Sequence, residues 1–320
     1  MIINNIFYWL TLLATTALAA TDHYKTRKVG AANTPDYSIY FENEHGIPIS
    51  PFHDLPFRPN PDNTSIYNMV VEIPRWHNAK LEINRTIPFN PIRQDKGPNG
   101  TLRYIPNIFP FFGYIGNYGA IPQTWEDPNV PNHDIGTKGG DNDPIDVIEI
   151  GDLLGYPGQI KQIKILGSLL MVDDNYTDWK IVAVDINDKK AHQYNDIGDV
   201  EESMLTAIKH WYTVYKEPEG SPENDFGLEG RFMNKASCSI LVSYTHEIVK
   251  ETHGYWRKLV NGTTRADDIS TVNLSVNGSA HQVKSDSPEV KKVPKAKSIP
   301  DAEQPARSLV WSHVSLNLSF

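Results

Sequence analysis

Helical periodicity is absent from this chain of 320 residues until position 204, and that ordering limits the folds open to it. Before that point the apolar residues fall into short, β-branched runs: Ile66 to Ile73, Ala79 to Ile83, Leu102 to Ile105, Ile145 to Ile150, Gly158 to Ser168 and Trp179 to Asp185. Turn-like breaks such as Pro74-Arg75-Trp76-His77-Asn78 separate them. After it, Met204, Ile208, Trp211, Tyr212 and Tyr215 recur at intervals of three and four, as do Ile248, Thr252, Tyr255, Trp256 and Leu259. Strands first and helices late predict a mainly β (α+β) domain, a small β-barrel or compact sheet with helices packed against it. An alternating doubly wound α/β sheet is disfavoured.

The two ends read differently from this middle. Ile6 to Ala14 is an apolar run followed by the small-x-small triplet Ala17-Leu18-Ala19, and it is too short to anchor in a bilayer. A signal peptide over residues 1–19 is expected, although no Lys or Arg precedes the run. A mitochondrial transit peptide fits less well, because the first Arg is Arg27. Eight Asn-x-Ser/Thr sequons, at Asn63, Asn84, Asn99, Asn175, Asn261, Asn273, Asn277 and Asn317, point the same way. The expectation is therefore a secreted or secretory-pathway glycoprotein, with cytoplasm or mitochondrion as the alternative. The single Cys238 can form no internal disulfide, so stability must come from packing. Residues 22–62 read as a polar, proline-rich arm with an edge strand at Tyr37 to Phe41. A domain is expected over 20–260, followed by a polar, flexible tail over 261–320. Within that tail Val310-Trp311 and Val314 to Phe320 regain apolar character and are expected to dock back.

The formal charge of −9 argues against a grip on nucleic acid through overall basicity. The chemistry is concentrated in acids. In Asp141-Asn142-Asp143-Pro144-Ile145-Asp146 three carboxylates lead into an apolar strand. An EF-hand is excluded, because its sixth position needs a glycine for the turn and here holds Asp146. A solvated acidic loop is the plain alternative. A second cluster weighs against it: Asp173 and Asp178 flank a turn, with Lys180 on the same strand face as Asp178, and Lys80 and Glu82 repeat that pairing of cation and carboxylate. Carboxylates about 4 Å apart repel by roughly 4 kcal/mol at an effective dielectric near 20, so a convergent set needs cations. Oxygen ligands without a His or Cys set at zinc spacing point to Mg²⁺ or Mn²⁺.

Metals imply an anionic substrate, and Lys80, Arg103, Lys180 and Lys216 stand near strand or helix ends, with Tyr114 and Tyr118 in a glycine-flanked loop. Taken singly, each has a plain reading as a solvated cation or a core phenol. Together they describe phosphoryl transfer, with metals clamping the reacting oxygens and cations absorbing charge. No GxxxxGK[ST] or GxGxxG is present, so a P-loop kinase or dinucleotide enzyme is disfavoured. Hydrolysis of a small phosphoanhydride fits best.

At this point the chain resembles the soluble family I inorganic pyrophosphatases of the eukaryotic type. "NMVVEIPRWHNAKLEI", "FPFFGYIGNYGAIPQTWEDP", "GDNDPIDVIEIG", "TDWKIVAVDIND" and "YKEPEGSPEN" stand in the family's order, and the match runs from about Tyr24 to Val260. The resemblance implies a five-stranded OB-like β-barrel with helices, Mg²⁺-dependent hydrolysis of pyrophosphate to two orthophosphates, and a homodimer. It places Asp141, Asp146 and Asp178 on two activating metals, with Asp173 and Glu82 on metals that arrive with substrate and Glu72 in support. Roughly two to four Mg²⁺ per site are implied, with Mn²⁺ a substitute and Ca²⁺ inhibitory because of its larger, looser coordination. Asp143 is then the general base. Arg103, Lys80, Tyr118, Tyr215 and Lys216 bind phosphate, while Tyr114 and Lys180 line the cavity. The sequence departs from the family at residues 236–243, which look inserted, at Phe111-Phe112, where a His pair is common, and in its signal peptide. Two other readings compete: a calcium-sequestering glycoprotein that has lost catalysis, and a broader phosphatase acting on nucleotides.

Overall fold

The computed structural model describes residues 24–133, 135–234, 244–297 and 299–313. The expected signal peptide and the 236–243 segment with Cys238 lie outside the described residues.

Five strands close into a ring. Ile66–Ile73 pairs antiparallel with Asn117–Ala120, which pairs antiparallel with Asp146–Glu149. That strand lies parallel to Tyr176–Asp185, which forms a long hairpin with Ile160–Asp173, and this last strand returns to pair with Ile66–Ile73. The closed ring is the OB-like barrel that the family resemblance implies, and closure removes the sheet edges. Strand period explains why its sequences read as apolar on both sides. Met69, Val71, Val147, Ile181 and Ala183 belong to one buried cluster, and the alternating Val70, Ile148, Val182 and Val184 to another. Gly119 is required at one crowded point of the ring. A Cβ there would sit 1.9 Å from the carbonyl oxygen of Val70, so only glycine lets the two strands approach.

Helix α1 (Glu202–Val214) packs on one cluster, while helix α2 (Tyr244–Val260) spans both, adding Trp256, Leu259 and Val260 to the cluster under α1. Ile208, Trp211, Tyr212 and Val214 are buried in the first and Ile248 and Val249 in the second. Both helices fall where the three-and-four spacing places them.

Two strand expectations need correction. Ser38–Glu42 is not an edge, because it pairs with Lys25–Val29 on one side and with Ile92–Gln94 and Pro48–Ile49 on the other, in a separate small sheet. Leu102 to Ile105 is not a strand but makes isolated bridges, Lys96 to Leu102 and Ala79 to Tyr104. The tight turn at Gly97 to Gly100 and Pro106 leave too few residues for a ladder. At the opposite end of the barrel strands from the acids, Lys161 is buried against Asp185 at 2.9 Å and Glu149 at 3.2 Å.

Among its described residues, the expected flexible tail is instead folded against the domain. Asp54 Oδ1 accepts the N–H groups of Leu274 and Ser275, both at 2.8 Å, and the Ser275 hydroxyl at 2.7 Å. Ser270 N–H donates to the Arg85 carbonyl at 2.7 Å. Ile269, Val276 and Val293 are buried, and Trp311–Ser312 pairs in parallel with Asn107–Ile108. Val310-Trp311 thus docks back as expected, while residues 314–320 lie outside the described residues. The tail lacks apolar period because its docking is mainly polar, through backbone groups that the side-chain pattern does not report.

Asp54 is the test of that docking. Asp54→Ala leaves four donors unpartnered, the three of the tail and the Ser50 N–H that Oδ2 accepts at 2.9 Å, and we expect a loss of about 2–4 kcal/mol in urea unfolding together with faster proteolysis between residues 265 and 285. Unchanged stability and cleavage would show that the tail does not depend on this clasp.

Candidate active site

A cleft of about 170 Å³ opens over one face of the barrel, and all fourteen residues singled out from the sequence line it. Strand register puts the central ones side by side. Asp146 opens its strand opposite Lys180 on the parallel neighbour and opposite Ala120 on the antiparallel one. Asp178 and Lys180, two apart, face the same way. Tyr118 comes from the strand Asn117–Ala120, and Glu72 stands near the end of Ile66–Ile73, where its Oε1 accepts the Ile83 N–H at 2.6 Å. Asp173 ends the long hairpin strand, while Tyr215 and Lys216 follow the last turn of α1.

The charges are arranged in pairs. Lys180 Nζ donates to both oxygens of Asp178, at 2.6 and 2.7 Å, and forms a second ion pair with Asp146. The Tyr118 hydroxyl donates to Asp146 Oδ2 at 2.5 Å. Lys216 pairs with Asp173, and Lys80 with Glu82 at 3.5 Å. Arg103 is held by Glu219 at 2.9 Å and Asp95 at 3.3 Å. Seven carboxylates and four cations nevertheless line the cleft, so its walls carry an excess of negative charge.

Burial pushes Asp178 up to about 6 against the opposing pull of Lys180, and pushes Asp143 up to about 7 against that of Arg85. Asp141 is held well above the carboxylate range by burial, then by Asp178, Asp143 and Asp146. Lys80 and Lys180 stay protonated, because the surrounding acids outweigh their desolvation. Burial also pushes Tyr114 up to about 12, so it faces the cleft as a neutral phenol.

The acid loop is tied from three directions. Asp141 Oδ1 accepts the Asp143 N–H at 3.0 Å, which folds Asn142 into the left-handed region at φ 74°. Trp125 Nε1 donates to Asn142 Oδ1 at 3.0 Å. Arg85 Nε lies 3.2 Å from Asp143 Oδ1, and its Nη1 donates to the Asn142 carbonyl at 2.8 Å.

Arg85 was not legible as a site residue, since it sits in a turn two positions beyond the last strand residue of its motif that faces the cleft. Tyr212 also lines the cleft, but its place in the helical apolar series reads as core. Glu126 stands beside Asp127 in the quoted "QTWEDP", a pair of acids fifteen positions before Asp141 and outside the acidic runs that mark the site. One oxygen each of Glu126, Asp141 and Asp178 lie within 4.8 Å of one another. A set of hard oxygen donors with excess negative charge and no His or Cys fits Mg²⁺ or Mn²⁺.

Comparison with known proteins follows the same lines. The family profile described as inorganic pyrophosphatase matches residues 69–250. The chain is 49% identical over 263 residues to an inorganic pyrophosphatase of Candida glabrata, covering 81% of this chain and 88% of that protein. The solved inorganic pyrophosphatase of Schistosoma japonicum superposes with a TM-score of 0.82 at 37% identity, over 91% of this chain and all of the other. A truncated vacuolar soluble pyrophosphatase of Trypanosoma cruzi, solved in complex with PPi, matches with a TM-score of 0.65 at 35% identity, over 81% of this chain and 99% of the other.

Lys180 is the counter-charge on which the geometry turns. Lys180→Met leaves Asp146 and Asp178 buried without it, and we expect a loss of about 3–5 kcal/mol of unfolding free energy in EDTA. The loss should shrink when Mg²⁺ is added. Equal denaturation midpoints for both proteins in EDTA would remove Lys180 from this role.

Proposed function

The chain belongs to the soluble family I inorganic pyrophosphatases, and from that premise we propose that this cleft hydrolyses pyrophosphate to two orthophosphates. The carrying observation is that Lys80, Arg103, Lys180 and Lys216 share one small cleft with the acids. A calcium store has no use for four converging cations, whereas a phosphoanhydride with charge on both phosphates does. No organic group needs recognition, and the cleft is small.

Asp141, Asp146 and Asp178, with Asp173, Glu82 and Glu72, would hold divalent cations, whose chemistry is to neutralise the anhydride and to acidify the attacking water. Asp143 takes the proton of that water as its oxygen attacks phosphorus and the bridging P–O bond breaks. Burial, which raises the Asp143 carboxyl above an ordinary carboxylate, makes it a better proton acceptor for this role. Arg85 holds Asp143 and its loop in place. Arg103 and Lys216 exchange Glu219, Asp95 and Asp173 for phosphate oxygens, with Lys80, Tyr118 and Tyr215 completing the phosphate contacts. Tyr114 and Lys180 shape the cavity wall. Mn²⁺ substituting for Mg²⁺, and inhibition by the larger Ca²⁺, belong to the same reading.

Asp143→Asn should lower kcat for pyrophosphate by about 10²–10⁴-fold with an unchanged circular dichroism spectrum. Undiminished phosphate release would remove the base. Rapid hydrolysis of ATP with Mg²⁺ by the wild-type protein would favour the broader phosphatase instead.

We also propose that the protein enters the secretory pathway and forms a homodimer. The apolar leader and the sequons motivate the first, with one correction from the fold. Asn273 is fully buried and its amide donates to Thr271 O and Ser279 Oγ, so it has no room for a sugar. Asn63, Asn99, Asn175, Asn261 and Asn277 are exposed. An exposed aromatic cluster supports the second: Trp311 lies 5.8 Å from Phe112 and 6.3 Å from Phe109, ring to ring. Sedimentation of the native protein before and after glycosidase reads both proposals. We expect twice the chain mass and a drop on deglycosylation; a monomer of the bare chain mass with its leader intact would refute both.

A further inference from the structure

Glu126 has no part in the scheme above, yet it is built into the acid loop. Its N–H donates to the Asp143 carbonyl at 2.9 Å, and its own carbonyl accepts the Asn142 N–H at 3.0 Å, so the two segments are stitched together at the backbone. Gly140 makes that approach possible, since a Cβ there would lie 2.4 Å from the Glu126 carbonyl carbon. Glu126 Oε1 accepts the N–H of Trp179, the neighbour of Asp178, at 3.1 Å. The carboxylate is thereby fixed between the loop that carries Asp141 and the strand that carries Asp178.

The other oxygen is the informative one. Glu126 is 3% exposed, and its Oε2 is a buried acceptor with no hydrogen-bond partner among the described residues. A buried carboxylate oxygen without a donor is unfavourable unless something positive or hydrogen-bonding fills the gap. The carboxylate's surroundings supply further acids, since one oxygen each of Glu126, Asp141 and Asp178 lie within 4.8 Å of one another. Lys180 does not reach across, being occupied by Asp146 and both oxygens of Asp178. Glu126 stands behind the wall of the acidic cleft and borders its neighbour, with Asp127, Glu251 and Tyr255, but its Oε2 is closed to solvent there.

We propose that Glu126 is a metal-holding residue of this chain, its Oε2 joining Asp141 and Asp178 around one divalent cation. The assignment rests on reading the cleft as a metal-dependent pyrophosphatase site. Opposite ligands of a divalent cation bound through oxygens at about 2.0–2.6 Å stand about 4–5 Å apart, so the observed spread brackets such an ion with little side-chain movement. A single water could satisfy one acceptor but not the mutual repulsion of three buried acids.

The test is Mn²⁺ binding without substrate, followed by electron paramagnetic resonance, on wild type, Glu126→Gln and Asp141→Asn. Glutamine keeps the volume and an oxygen for the Trp179 N–H, so the metal-free variant should melt at or above the wild-type temperature. Its Mn²⁺ affinity at one site should fall about tenfold or more, and the rise in melting temperature on adding Mg²⁺ should shrink. Wild-type affinity in Glu126→Gln alongside weakened binding in Asp141→Asn would overturn the assignment and leave Glu126 a water's acceptor. Wild-type affinity in both variants would instead overturn the metal reading of the whole cleft. If Glu126→Gln does not fold, Glu126→Asp, which keeps the charge but withdraws it by one carbon, gives the same comparison with a smaller expected loss.

Discussion

Like charges gathered out of water are the constraint on which this structure depends. Asp146 and Asp178 sit on adjacent parallel strands whose register would press their carboxylates together. Lys180, itself almost fully buried, stands between them and takes both. Without that ammonium the two strands would be driven apart by several kcal/mol at the position where the barrel must stay closed. The rest of the cleft repeats the solution with Lys216 on Asp173, Lys80 on Glu82 and Arg85 on Asp143. A site built this way gathers these acids out of water without falling apart, because each is held by a neighbouring cation.

The same strand pair is anchored at its other end by a second buried ion cluster. Asp146 opens the strand Asp146–Glu149, and Glu149 closes it against Lys161, which also reaches Asp185 at the far end of the neighbouring strand. Burying so many charges is weak evidence for stability, but it fixes register. A slip of one residue would turn Asp146 and Glu149 to the wrong faces at once. Precise placement of the acids is therefore a property of the barrel as a whole and not of the loop alone.

Much of this was readable in the residues. The two helices show in their spacing, the barrel strands in their β-branched runs, and the carboxylates and cations of the cleft in short motifs that the folded chain brings into one place. What escaped was information carried by the backbone. The Tyr37 to Phe41 segment looks like an edge because alternation does not count partners, and Leu102 to Ile105 looks like a strand because propensity does not see the turn that cuts it short. Arg85 and Glu126 belong to the acid loop through contacts across some 57 and 15 positions of sequence, to Asn142 and Asp141 respectively. The tail was misread because a segment docked by main-chain hydrogen bonds and scattered valines has no period to detect.

Arg85 touches both worlds. Its side chain grips the carboxylate assigned to water activation, and its carbonyl receives the tail at Ser270. One residue thus separates the C-terminal extension from the reacting centre. Sequence drift, fusion partners or truncation beyond position 260 act on a component of the cleft's scaffold, so the extension cannot be treated as a neutral appendage when such proteins are shortened or joined to others.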